Sequence, residues 1–197
     1  MKPNQTPWIA CTLLTCAATL LSAATPDVRD KSETPFTIRS STFKDGELMP
    51  VRVSNRDRPG GPANCVGQNV SPQLSWSEPP EGTKSYALMA VNMEGHAGLG
   101  YVNMLVYGIP ADVRSFAEGE LGKASDRFTG GSGAMKDGTF SGPCVAHNWN
   151  FHYTFMVIAT TLEPGELPAG LTLPQLQARL EGHVRRAAAI VGRFTHP

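Results

Sequence analysis

Three apolar runs constrain this chain more than any other feature: Tyr86-Ala-Leu-Met-Ala-Val91, the run from Tyr101 to Ile109 and the run from Phe151 to Thr160. Each is near-continuous and bounded by turn residues, the pattern of a strand buried on both faces. Shorter strand signals surround them. Phe36-Thr-Ile-Arg-Ser40 and Leu74-Ser-Trp76 alternate apolar and polar residues, as half-buried strands do. Asp45-Gly46, Glu78-Pro-Pro-Glu-Gly82 and Pro110-Ala-Asp112 are turns. Arg56 to Ala63 is a loop, because its prolines and glycines leave no room for a hydrogen-bonded ladder. Residues 117–141 show little periodicity and form a long excursion of the kind that is usually functional or mobile.

One helix is convincing. Thr172 is placed as its N-cap and Gln175 as the partner in a capping box, with Pro174 tolerated in the first turn. Leu173, Leu176, Leu180 and Val184 recur at helical spacing, so Arg185 and Arg186 read as part of its solvated face. The helix is expected to cover a sheet edge, with Ile190 to Phe194 as a final strand. Short strands, frequent turns and a late helix indicate a mainly β sandwich with peripheral helix.

Charge narrows the function classes. Lys plus Arg and Asp plus Glu are both 17, so the formal charge is zero. No cationic stripe is present to displace counterions from a nucleic acid backbone. No P-loop or H-E-x-x-H motif occurs, and no C-x-x-C or H-x-x-x-H pattern, so neither a cofactor nor a metal is expected. Gly130-Gly-Ser-Gly-Ala134 falls one residue short of G-x-S-x-G and follows no strand, which leaves a hydrolase built on Ser132 as a weak reading.

The N-terminus reads as an export signal. Lys2 precedes an uncharged run from Trp8 to Leu21, and Ser22-Ala-Ala24 supplies small residues before a cut at Thr25. The run is short for a membrane span. Leu13-Leu-Thr-Cys16 is similar to a lipobox, with Thr where a smaller residue is usual. The expected organisation is a signal peptide over 1–24, a flexible leader over 25–35 and a domain over 36–197. Localisation is then periplasmic or secreted, with no integral membrane segment after cleavage. Cys65 and Cys144 remain in the mature chain. In an oxidising compartment they can form one disulfide, or stay as two buried thiols. Sequence does not show whether their Cα atoms come within the roughly 7 Å a bridge requires.

The segment Asn69-Val-Ser-Pro-Gln-Leu-Ser-Trp76, followed by Pro79-Pro-Glu-Gly-Thr-Lys-Ser85, Phe140-Ser-Gly-Pro-Cys144, Tyr153-Thr-Phe155, Glu181-Gly-His-Val184 and Val191-Gly-Arg193, resembles the phosphatidylethanolamine-binding protein family in its bacterial Raf kinase inhibitor-like branch. The resemblance runs from Cys65 to Phe194. It implies an antiparallel β-sandwich with a large and a small sheet and a peripheral C-terminal helix. It also implies a shallow pocket at one end that takes phosphate-like anions and phosphorylated head groups.

The polar residues of that pocket depart from the family pattern. Where the family has an Asp-Pro-Asp-x-Pro loop, this chain reads Asn92-Met-Glu-Gly-His96. Asn103 stands in place of a His between two aromatics. Phe151 and His152 replace the His and Arg of a His-Arg-Tyr, and Tyr153 matches. Histidines can carry charge near neutral pH, whereas Asn103 offers neutral hydrogen bonds and Phe151 none. Charge-assisted bonds are about twice as strong as neutral ones, so weaker anion binding or a more neutral ligand is expected. The candidate ligand-binding residues are Asn92, Glu94, Asn103, Gly142, Pro143, His147 and Tyr153. Glu94 with His96 is weighed as an acid/base pair. His147 beside Trp149 is weighed as the floor of a choline-binding site by cation–π contact. His152 is expected on the outer face.

The function expected on these grounds is an exported, non-enzymatic binding protein for a small anionic or phospholipid-like ligand. The alternative is a protein-interaction module such as a protease inhibitor or regulator, since some members of the resembled family act through the surface around the pocket.

Overall fold

The structure is a computed structural model that describes residues 34–56, 65–146 and 148–197. The expected signal peptide and most of the expected leader lie outside the described residues. Among the described residues, eight strands form two antiparallel sheets. The small sheet has the order β1 (Ile38–Arg39), β2 (Leu74–Trp76) and β5 (Ser115–Phe116). The large sheet has the order β6 (Thr129–Gly130), β4 (Tyr101–Pro110), β3 (Ser85–Asn92), β7 (Asn150–Thr160) and β8 (Val184–Thr195). Its central strands β4, β3 and β7 are the three apolar runs.

These runs are apolar on both faces because both faces are covered. Inward, Tyr86, Leu88 and Ala90 of β3 join Phe155 and Val157 of β7 and Leu74, Trp76 and Phe116 of the small sheet in one core. Outward, Ala87 and Met89 join Leu105, Tyr107, Ile158, Leu176 and Leu180 in a second. The last two belong to α1 (Leu173–Leu180), whose Thr172 N–H donates to the Gln175 side chain at 2.9 Å. The helix therefore covers the outer face of the large sheet, not its edge.

Two local expectations change. The helix stops at Leu180, and Gly182 takes a left-handed φ of 78° that turns the chain. Val184, Arg185, Arg186 and the three alanines after them are strand, paired with β7 from Thr160↔Val184 onward. Alanine favours helix by under a kilocalorie per residue, and eleven residue pairs of ladder outweigh that preference. The 117–141 excursion is also well anchored. Leu121, Phe128 and Phe140 are buried in the main core, Arg127 pairs with Glu120, and the Arg127 guanidinium lies 4.5 Å from the centre of the Phe116 ring.

Candidate functional site

At one end of the large sheet, the last residue of β3 and the first residues of β4 and β7 meet the Phe140–Cys144 loop around a cleft of about 370 Å³. Small-ligand sites commonly begin near 300 Å³. A register shift builds its wall. Ala90 pairs with Met104 and Val91 with Val102, so Asn103 is an extra residue on β4. Such a bulge re-aims a side chain, and Asn103 lines the cleft at 2% exposure.

The Asn103 amide is fixed by its neighbour. Its Nδ2 donates to the Ser141 carbonyl at 2.7 Å, and the Ser141 N–H donates to the Asn103 carbonyl at 2.8 Å. A carbonyl only accepts, so this pairing settles which end of the amide is nitrogen. The Oδ1 is buried and meets no donor among the described residues. The expected neutral hydrogen bond is thus present, but the donor is spent on the loop and the remaining group is an acceptor.

Asn92, also 2% exposed, ends β3 and shapes the next loop. Its Oδ1 accepts from the N–H groups of Glu94 and Gly95, both at 2.8 Å. His96 and Ala97 then adopt left-handed φ of 51° and 58°, a conformation that costs L-residues roughly 1–2 kcal/mol each. The Gly100 N–H closes the loop onto the Gly95 carbonyl at 3.0 Å, and the His96 ring meets Tyr101 edge-on at 4.9 Å. Strain of this kind gathers at ligand clamps. Tyr153, 3% exposed, has its phenol pushed up to about 12 by burial, against the opposite pull of the Asn92 side chain beside it.

The opposite wall is the Gly142-Pro143 loop, held from three sides. Gly142 N–H donates to Asn69 Oδ1 at 2.7 Å, Asn55 N–H to the Pro143 carbonyl at 2.8 Å, and Asn55 Nδ2 to Ser141 Oγ at 3.0 Å. A Cβ on Gly142 would run into the Val53 carbonyl oxygen, so glycine is required by close approach. Cys65 and Cys144 complete the wall as a disulfide of 2.00 Å that joins residues 79 apart in sequence.

Asn92, Asn103, Gly142 and Tyr153 are therefore brought together in the cleft lining. Pro143 lies behind it and contributes its carbonyl to Ser54 and Asn55. Glu94 stands outside the lining and pairs with His152, not His96. Its Oε2 accepts the His152 N–H at 2.7 Å, and its Oε1 lies 2.8 Å from Nδ1. Partial burial raises the Glu94 pKa, but the two contacts and the charge of His152 outweigh it and leave it below the ordinary carboxylate value. His152 is exposed, as alternation implied. His147 lies outside the described residues. Trp149 does not line the cleft. It is 56% exposed and meets Phe151 edge-on at 5.4 Å. Ser132 is not in the lining either, and its N–H donates to the Leu171 carbonyl.

The cleft also contains residues that sequence reasoning passed over: Asn55, Arg56, Tyr101 and Ser141. Arg56 donates through Nε to the Gln68 carbonyl at 2.8 Å. Among the described lining residues no carboxylate occurs, and Arg56 and His96 are the basic ones. No group of three His, Cys, Asp or Glu side chains among the described residues is placed to hold a metal.

The sequence model of the phosphatidylethanolamine-binding protein family matches residues 39–195. A Mycobacterium tuberculosis protein with the provisional name lipoprotein LppC is 32% identical over 178 residues, 90% of this chain and 79% of that one. A UPF0098 protein of Aquifex aeolicus is 28% identical over 158 residues, 79% and 85% of the two chains. The crystal structure of Escherichia coli YbcL, described as a new member of the mammalian PEBP family, superposes with a TM-score of 0.70 at 25% identity, covering 81% of this chain and 98% of that one.

Proposed function

Because the chain belongs to the phosphatidylethanolamine-binding protein family, we propose that it is an exported, non-enzymatic protein whose cleft binds a phospholipid head group or a similar small ligand. The observation that carries this reading is the composition of the cleft. Buried amides, a buried phenol and aromatic rings surround about 370 Å³, the mix of apolar walls with a few placed polar groups that suits small-molecule binding. Export is supported by the lipoprotein name of one relative and by the signal-like N-terminus. Among the described residues no helix is long and apolar enough to cross a membrane.

Anion affinity is expected to be weak. A phosphate would meet Arg56, but Asn103 presents an acceptor and Phe151 presents carbon where charge-assisted donors would be needed. Chemical-shift mapping tests both statements. Of a millimolar panel of small ligands that includes glycerol and phosphoethanolamine, at least one should move the amides of Asn92, Asn103, Gly142 and Tyr153 and few others. Inorganic phosphate should show no saturation below a millimolar. Submillimolar phosphate binding in the cleft would contradict the weak-anion reading, and unmoved cleft amides with every small ligand would contradict the binding reading.

One observation favours the second reading, a protein-interaction module. Met93 at 67% exposure and Leu99 at 87% flank the cleft residues Gly95 and His96, and Trp149 packs on Phe151. Large exposed side chains of this kind often mark a docking rim. Co-purification of a protease that is lost on Leu99→Ser, with small-molecule binding unchanged, would favour it. A partner that persists in that variant would remove the rim from consideration.

A further inference from the structure

The cleft's polarity narrows the class of ligand. This step rests on the small-ligand reading above. Asn103 lines the cleft, its nitrogen is committed to the Ser141 carbonyl, and its Oδ1 is buried without a donor among the described residues. A buried acceptor left unpaired is costly, so occupancy gains most when the ligand supplies a hydrogen-bond donor there. A carboxylate or a phosphodiester cannot, since its oxygens only accept, and inorganic phosphate could donate only through a P–OH while its charged oxygens met few donors beyond Arg56. An ammonium can donate, but the described lining holds no carboxylate and does hold Arg56. A buried ammonium would stand unpaired beside a cation, which is strongly unfavourable.

An uncharged hydroxyl meets each condition. It donates to Asn103 Oδ1, and its lone pairs remain free to accept from a group such as the Tyr153 hydroxyl, which burial keeps protonated. Tyr101 and Phe151 supply ring surface for the carbon skeleton. A volume of about 370 Å³ holds about a dozen water-sized groups at roughly 30 Å³ each, the scale of one hexose or cyclitol. We infer that the cleft takes an uncharged polyol, either free or as the head group of a lipid, with one hydroxyl donated to Asn103. Asn103 is the residue that sets this preference.

Saturation-transfer NMR on the full chain tests this with glycerol, myo-inositol and methyl α-D-glucopyranoside, beside inorganic phosphate and phosphoethanolamine. At least one polyol should receive saturation and should not be displaced by an equal concentration of phosphate. Its affinity should fall at least tenfold in Asn103→Leu. Asn103→His keeps a polar side chain and serves if the leucine variant fails to fold. It should weaken the polyol and strengthen phosphate by a similar factor. Vesicles carrying monoglucosyl- or monogalactosyl-diacylglycerol, whose head groups are uncharged, set against the free polyols, separate a lipid head group from a free ligand.

Binding of phosphate or phosphoethanolamine in the cleft with no polyol bound would overturn this inference while leaving the binding reading standing. Polyol binding unchanged in both Asn103 variants would overturn it too. Failure of all five small molecules and both vesicles to bind would remove the binding reading with it.

Discussion

Asn103 and Tyr153 decide what the cleft presents, and both act through burial. For Tyr153 the consequence is a measurable titration. Its phenol ionises near 10 in an unfolded chain and is pushed up to about 12 in the fold. The neutral form is favoured by folding, so its contribution to stability is fully present below about pH 10 and is lost as pH rises through about 12. Subtracting the phenolate absorbance titration of Tyr153→Phe from that of the native protein should leave one transition near pH 12. A transition near 10 would show that the ring is exposed. Gly142 yields a second prediction. Alanine there would press on the Val53 carbonyl oxygen and should cost about 1–3 kcal/mol by the scale of overpacked sites, read from urea unfolding. An unchanged midpoint would mean that the loop yields. At this scale the sequence was partly informative. Gly142-Pro143 reads as a turn from residue type alone, and Asn103 stands out as a polar residue within an apolar run. The direction of its amide was not legible, because it depends on a carbonyl 38 residues away. Arg56 and Asn55 were missed because their neighbours read as a plain proline-glycine connection.

The elements that shape the site are a bulge and a strained loop, and neither leaves a strong local signal. The apolar runs announce β3, β4 and β7 plainly, but a one-residue register shift at Asn103 arises from pairing with β3. The helix ran short of its apparent period because Val184 belongs to a ladder with β7, a long-range pairing that local spacing cannot reveal. In the loop after β3, Ala97 holds a φ of 58°. Ala97→Gly should therefore stabilise by about 0.5–1 kcal/mol, since relief of the left-handed cost exceeds the entropy of a freer unfolded chain. A loss of stability would show that the loop is not strained. The same loop is tied to β7 through Glu94 and His152. With the Glu94 pKa lowered in the fold, the tie is present above the unfolded carboxylate value of about 4.3. It is lost as pH falls through the lower folded value. Both side chains are well exposed, so screening keeps the effect on global stability small. The protection factors of the amides in residues 93–100, with the intrinsic pH dependence of exchange divided out, should fall in the native protein as pH drops through the lowered Glu94 value. In Glu94→Gln they should be low at neutral pH as well. Equal protection in both proteins at neutral pH would contradict the tie.

Across the whole molecule, two sheets and a covering helix bury the central strands on both faces, and the disulfide clamps the cleft end of that sandwich. A bridge across 79 residues removes unfolded-chain entropy worth about 2–5 kcal/mol in natural domains. At roughly 2–4 °C per kcal/mol for a domain of this size, the Cys65→Ala, Cys144→Ala double variant should melt about 10 °C lower. Loss of polyol binding in the same variant would follow, because both cysteines line the cleft. An unshifted melting temperature would mean that the bridge adds little to the fold. The family resemblance was legible because its motifs fall in order along the chain. What the altered pocket accepts was not, because polarity there is set by pairings among loops distant in sequence. The most direct test of a working cleft is native mass spectrometry of the protein, purified gently from the cells that make it. An uncharged small-molecule adduct that dissociates on activation should accompany the protein and be absent from Asn103→Leu. A bare mass that stays bare when glycerol, myo-inositol, methyl α-D-glucopyranoside and phosphoethanolamine are added would contradict it.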